Sequence, residues 1–174
     1  MNKHILASVV AISTATATIA NGDSHDIKVI PDYQKENPWF TAGLENVDNK
    51  IFSKFPKAKN VILFVGDGMG VSTVTAARIL EGQLKGMMGE ENNLSFDTFP
   101  YTGMAKTYNV DAQTPDSAGT MTAMMTGVKT DVGVIGVDED IVRGDCSTVS
   151  GNELVTALEL AEIAGKSTGI VSTA

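Results

Sequence analysis

Histidine, cysteine, arginine and tryptophan are all scarce in this chain, and the shortages narrow what it can do. The 174 residues include 2 histidines, 1 cysteine and 1 tryptophan. Both histidines, His4 and His25, precede residue 26. A Ser-His-Asp triad or a histidine-ligated zinc site is therefore hard to build from residues 61–174. Cys146 stands alone, so no disulfide closes within the chain. It is either a buried free thiol or half of a pair whose partner lies on a segment outside this sequence. Arginine occurs only at Arg78 and Arg143. Arg78 falls on a predicted helix with a solvated face and Arg143 in a loop before Cys146, so neither is assigned as a phosphate clamp. Beyond residue 20 no apolar run is long enough to span a bilayer. Cationic charge is also short. A net charge of −8 argues against nucleic acid and against an anionic membrane surface as partners. An anionic substrate would need a strong local positive field.

Hydrophobic content of 43% and charged content of 20% are globular values, and the length suits one modest domain with a core. The first 20 residues stand apart. A short basic start, Met1-Asn2-Lys3-His4, leads into an uncharged run of apolar and small residues that ends Thr18-Ile19-Ala20. The pattern predicts a secretory signal peptide over residues 1–20, cleaved after Ala20, and an exported, soluble product. The alternative is a buried N-terminal helix. Residues 21–60 are polar, contain Pro31, Pro38 and Pro56, and read as an N-terminal arm. Trp39 and Phe40 would anchor that arm to a core or to a second subunit.

From Val61 onward strand and helix patterns alternate, which predicts an α/β fold with a mostly parallel central sheet. Val61–Val65 is a short apolar run ending at Gly66-Asp67-Gly68-Met69-Gly70, as expected of a strand buried on both faces. Asp67 would then lie just past the strand's carboxyl end, where open α/β sheets bind ligands. A lone carboxylate flanked by glycines suits a metal ion or a cationic group. A helix is expected over 71–84, a strand over 99–110, and a second helix over 117–126 closed by Gly127. Ser150-Gly151-Asn152-Glu153 has the form of a capping box and predicts a helix running to Ala164. Residues 166–174 read as another strand, with no element after it to cover it. The acidic tract Asp138-Glu139-Asp140 is expected to be solvated.

The segment Asp111 to Thr120 (DAQTPDSAGT) is the second chemical feature. Pro115 fixes the approach, and Asp116-Ser117 opens a helix of small residues. A serine here is readily explained as a helix cap. The chemical alternative is a hydroxyl beside free backbone N–H groups and a positive dipole end, which is a prepared phosphate site. Serine is a weak nucleophile without a base or a metal. With no usable histidine, a metal is the remaining route, and Asp67 could supply a ligand. Met121, Met124 and Met125 on the same helix are core filler.

Residues 61–80, 99–130 and 164–173 together resemble the alkaline phosphatase family, and the lead-in around Glu36-Asn37-Pro38 and Ala58-Lys59-Asn60 is similar to it as well. The paired GDGMG and PDSAGT blocks are the specific part, and the likeness is nearer the animal-type sequences. The resemblance implies an α/β/α sandwich with a mostly parallel central sheet, cut short at the carboxyl end. Residues 61–174 would be the N-terminal portion of the catalytic domain. It implies hydrolysis of small phosphomonoesters through a phosphoserine, with two zinc ions and one magnesium ion. Asp67 matches the carboxylate bridging one zinc and the magnesium. Ser117 matches the nucleophile, which also ligates that zinc, and Asp116 matches its neighbour that orients a phosphate-binding arginine. Cys146 matches a cysteine paired downstream. The arginine clamp and the other metal ligands would lie beyond Ala174, and the full-length form would be a homodimer. A different expectation follows for these 174 residues alone, namely a non-catalytic fragment, because two protein ligands do not make a catalytic zinc site. A phosphodiesterase or sulfatase of the wider superfamily is a third possibility, although PDSAGT does not resemble a sulfatase nucleophile pattern.

Overall fold

The computed structural model describes residues 29–48 and 58–173. The expected signal peptide and His25 lie outside the described residues. Contacts divide the described residues into two units, one of residues 61–106 and one of residues 29–48, 58–60 and 107–173. The regular elements are helices: α1 (Asp32–Glu36), α2 (Pro38–Asp48), α3 (Val71–Leu84), α4 (Ser117–Thr126) and α5 (Ala157–Ile163), with a 3-10 turn at Cys146–Thr148. No described helix is long and apolar enough to cross a membrane.

The first unit is α3 and the loop that returns along it. The helix has the expected bounds and starts after Gly70, which caps it through extended backbone and no side chain. Asn92 closes the returning loop. Its amide donates to the Arg78 carbonyl at 3.1 Å and to Glu81 Oε2 at 3.2 Å, while Lys85 Nζ donates to its oxygen at 3.3 Å. Lys85 also pairs with Glu81 one turn earlier, at 2.5 Å. Hydrogen bonds from Lys85 and then Asn92 hold the Glu81 carboxyl below its ordinary pKa.

The second unit is assembled around a small core of Ile30, Phe40, Val128 and Leu154, with Leu44 and Leu160 packed against it. The N-terminal arm is thus folded into this unit. Phe40 is buried in the core, as expected of it. Trp39 crosses the Tyr108 ring edge-on, with centroids 6.1 Å apart, and its indole N–H donates to Glu139 Oε2 at 3.0 Å. Lys129 Nζ lies 3.9 Å from the same Tyr108 ring centre and donates to the Tyr108 carbonyl at 2.6 Å. Desolvation lowers the Lys129 pKa. Gln34 is the polar pin of the unit. At 1% exposure, its amide donates to the Thr126 and Val155 carbonyls at 3.0 Å each and its oxygen accepts the Val155 N–H at 2.8 Å. One side chain thereby ties α1 to the end of α4 and to the strand-like segment before α5.

The described residues do not show several of the expected features. No sheet forms among the described residues; their one β-bridge is the antiparallel pair Val137 and Glu153. Residues 61–65 carry no strand and are largely exposed, Phe64 at 67%. Residues 99–110 and 166–173 are likewise irregular, with Val171 fully exposed at 100%. A parallel strand needs a strand neighbour to pair with and cover on both faces, and the described residues supply neither. The helix expected from Ser150 begins instead after Thr156, where a complete capping box joins Thr156 and Glu159. Glu153 folds back onto the Gly151 N–H at 2.8 Å, and Gly151 takes a positive φ of 94°, so the upstream box cannot start a helix. The acidic tract is also less solvated than expected. Asp138 is buried, and that burial raises its pKa.

Replacing Gln34 with alanine leaves three backbone groups without their partner. The expected cost is about 2–3 kcal/mol of stability, read as a lower midpoint in urea unfolding of the chain. An unchanged midpoint would mean that the arm is not held by this pin.

Candidate functional site

Ser117 is the first residue of α4, and the residue before it builds the site. Asp116 has the extended backbone of a helix cap, and its carboxylate accepts the N–H groups of Ala118 at 3.3 Å and Gly119 at 3.1 Å. The same carboxylate accepts the Gly133 N–H at 3.0 Å and the Asn109 side-chain amide at 3.0 Å. Each oxygen thus receives two donors: Oδ1 those of Asn109 and Gly119, Oδ2 those of Ala118 and Gly133. Burial pushes the Asp116 pKa up, but the hydrogen bonds from Gly119, Gly133, Asn109 and Ala118 outweigh it and hold the carboxyl below its ordinary value. Asp116 is therefore ionised at neutral pH and satisfied within the chain.

This arrangement revises one sequence expectation. The helix start does not offer all its N–H groups to a phosphate, because Asp116 has already engaged those of Ala118 and Gly119. Its charge also offsets the positive end of the helix dipole. What remains at the surface is the exposed Ser117 residue. Among the described residues no side-chain base is hydrogen-bonded to its hydroxyl.

Behind the helix start the packing is tight. Asn109 is 2% exposed and occupies the angle between the loop and the first turn of α4. A Cβ on Gly119 would lie 1.9 Å from the Asn109 amide nitrogen and 2.9 Å from the Asp131 carbonyl, so only glycine fits there. At the other end of α4, Gly127 closes the helix with φ of 79°, as expected, and its N–H donates to the Ala123 carbonyl. Thr122 and Thr126 bond back into the helix and reach the Gly136 and Val128 N–H groups, fixing α4 to the following loop. Met121, Met124 and Met125 are half-buried along it.

Asp67 belongs to the first unit and Ser117 to the second, and each is described in its own surroundings. Asp67 lies in an exposed turn whose next residue, Gly68, has φ of 62°; the turn is closed by the Gly70 N–H on the Gly68 carbonyl at 2.9 Å. Its carboxylate makes no hydrogen bond or ion pair among the described residues, so it is available as a ligand. As hard oxygen donors, Asp67 and Ser117 suit magnesium or zinc chemically. No cluster of three or more His, Cys, Asp or Glu side chains forms among the described residues, so these two do not by themselves complete a metal centre. Arg143 donates to the Val132 carbonyl at 2.6 Å, and Arg78 to the Glu90 carbonyl. Both arginines are occupied within the chain. Among the described residues Cys146 is exposed rather than buried. Asn109 carried no signal in the sequence. Gly119, by contrast, was visible within PDSAGT as part of a small-residue run.

The profile of the alkaline phosphatase family matches residues 58–174. The tissue-nonspecific alkaline phosphatase of Homo sapiens is 46% identical over 166 residues, covering 95% of this chain and 30% of the relative. That of Gallus gallus is 57% identical over 116 residues, covering 67% of this chain and 22% of the relative. The alkaline phosphatase of Gadus morhua is 56% identical over 117 residues, covering 67% and 24%. The chain thus spans less than a third of the length of these relatives.

Asp116 gives a pH test. Its carboxyl is depressed in the fold, so its contribution to stability is complete above the unfolded value of about 3.9 and disappears as pH falls through the folded one. Urea midpoints between about pH 6 and pH 3 should therefore fall more steeply for the wild-type chain than for Asp116→Asn. Parallel curves would contradict the assignment.

Proposed function

The chain belongs to the alkaline phosphatase family, and from that premise we propose that the whole protein hydrolyses small phosphomonoesters with Ser117 as the nucleophile. The family implies an α/β fold and metal cofactors in general. The finer reading is two zinc ions and one magnesium ion per site, an α/β/α sandwich with a mostly parallel sheet, export after cleavage at Ala20, and a homodimer. Residues 61–174 would be the N-terminal portion of the catalytic domain, behind the arm of residues 21–60.

The observation that carries this reading is Ser117 itself. It is exposed at the first position of α4, and its neighbour Asp116 is tied down by four donors. A nucleophile needs a fixed approach line to phosphorus, and a helix start anchored on both sides supplies it. When bound, the metals would lower the pKa of a coordinated hydroxyl or water and neutralise phosphate charge. Asp67 and Ser117 are the residues of this chain that would hold them. Asp67 makes no hydrogen bond or ion pair among the described residues, which leaves its carboxylate oxygens open to that role. The Ser117 oxygen would attack phosphorus and displace the substrate's alcohol, then carry the phosphoryl group until water removes it as inorganic phosphate. Asp116 keeps its own proton off at working pH and holds the turn.

The positive field for the substrate must come from outside α4, because the chain's net charge is −8 and Asp116 offsets the helix dipole. Each of the two arginines donates to a backbone carbonyl of its own unit, Arg78 to Glu90 and Arg143 to Val132.

Replacing Ser117 with alanine in the full-length protein should reduce zinc-dependent hydrolysis of an aryl phosphate by at least about three orders of magnitude. Near-normal turnover would remove Ser117 from its role.

A second reading concerns these 174 residues alone. Since no cluster of three metal-ligating side chains forms among the described residues, purified residues 21–174 should show negligible phosphatase activity with added zinc and magnesium. Robust activity from that segment would refute this.

A further inference from the structure

We propose that Asn109 is a positioning residue for the Ser117 nucleophile, a role that rests on the phosphoserine reading above. Asn109 lies seven residues before Asp116, and its side chain is engaged with the helix start and with the loop after α4. Its amide donates to Asp116 Oδ1 at 3.0 Å and to the Thr130 carbonyl at 3.3 Å, and its oxygen accepts the Asp116 N–H at 3.0 Å. Its own backbone N–H donates to the Ala112 carbonyl at 3.0 Å. The next residue repeats the link, with the Val110 N–H on the Thr130 carbonyl at 3.1 Å. Asn109 therefore grips Asp116 by backbone and side chain at once and ties both to the loop after α4.

The consequence reaches Ser117 through covalent geometry. Asp116 precedes Ser117, and its carboxylate holds the N–H groups of Ala118 and Gly119, the two residues that follow. Fixing the direction of that carboxylate fixes the backbone on both sides of Ser117, and with it the direction of the hydroxyl. At 2% exposure the Asn109 amide cannot rotate without orphaning buried groups. The space left for Gly119, where a Cβ would meet the Asn109 amide at 1.9 Å, shows how closely the amide abuts the first turn. Asn109 makes no hydrogen bond to the Ser117 side chain and acts through Asp116.

Loss of this grip should lower kcat more than it changes KM, because a displaced nucleophile still leaves the substrate's other contacts in place. The test uses the full-length protein with zinc and magnesium supplied, and compares Asn109→Ala and the isosteric Asn109→Asp with Gln34→Ala. Gln34 is equally buried in the same unit but pins the far end of α4. Expected is a fall in kcat for an aryl phosphate of about 10- to 100-fold in both Asn109 variants, with KM within about twofold. Gln34→Ala should lose stability yet keep its kcat per folded molecule. If Asn109→Ala fails to fold, Asn109→Asp decides. It retains the acceptor for the Asp116 N–H but sets a like charge against Asp116 Oδ1. A kcat within about twofold of wild type in that variant, or an equal fall in Gln34→Ala, overturns the proposal. A wild-type protein that hydrolyses no aryl phosphate would instead defeat the phosphoserine reading. The grip itself is then judged by hydrogen exchange at the Ala118 and Gly119 amides. Faster exchange in Asn109→Asp than in Gln34→Ala supports it, and unchanged exchange overturns it.

Discussion

The second unit depends on one carboxylate. Asp116 gathers four N–H donors from three directions: the first turn of α4, the loop at Gly133 and the side chain of Asn109. A carboxylate has about four good acceptor positions, and all are used. Burial alone would favour the protonated acid, but the four donors reverse that balance and keep the charge. The charge in turn draws the loops against the helix. Gly119 is confined by the same geometry, since any side chain there would strike Asn109. Remove the charge and the start of α4 loses its cap, its link to the following loop and its register against Asn109 together.

That constraint has a chemical cost. A helix start is commonly an anion site because its N–H groups are free and its dipole is positive. Here an internal anion has taken that place. The exposed serine is consequently well oriented but electrostatically unassisted by its own helix. A phosphoryl group arriving at Ser117 would meet, in these 174 residues, a net charge of −8. Cations must therefore provide both the attraction and the activation, which agrees with a family whose chemistry uses metals. Asp67, exposed in a glycine-flanked turn and without a hydrogen bond or ion pair among the described residues, is the complementary case: an open carboxylate where Asp116 is saturated.

What could be read from sequence divides along the range of the interactions. The bounds of α3 and α4 were legible because local signals set them: Gly70 and Asp116 at the starts, Gly127 in left-handed backbone at an end. Strands were not, because a strand exists only through its partners. Val61–Val65 has the composition of a buried strand, but nothing among the described residues covers it. The start of α5 was missed because two capping boxes compete within ten residues, and the positive φ at Gly151 decides for Thr156. Trp39 and Glu139 meet across 100 positions, and no local pattern announces such a pair. Asn109 was invisible for a similar reason: near the end of an expected strand, nothing local marks the residues that bury it.

The central claim is that Ser117 carries the phosphoryl group. Its most direct test is acid quenching of the full-length protein during turnover of an aryl phosphate, followed by mass spectrometry of the peptide that contains residues 111–120. The account predicts phosphate on Ser117, appearing with substrate and absent without it. Steady turnover with Ser117 unmodified and phosphate trapped on another residue would contradict it.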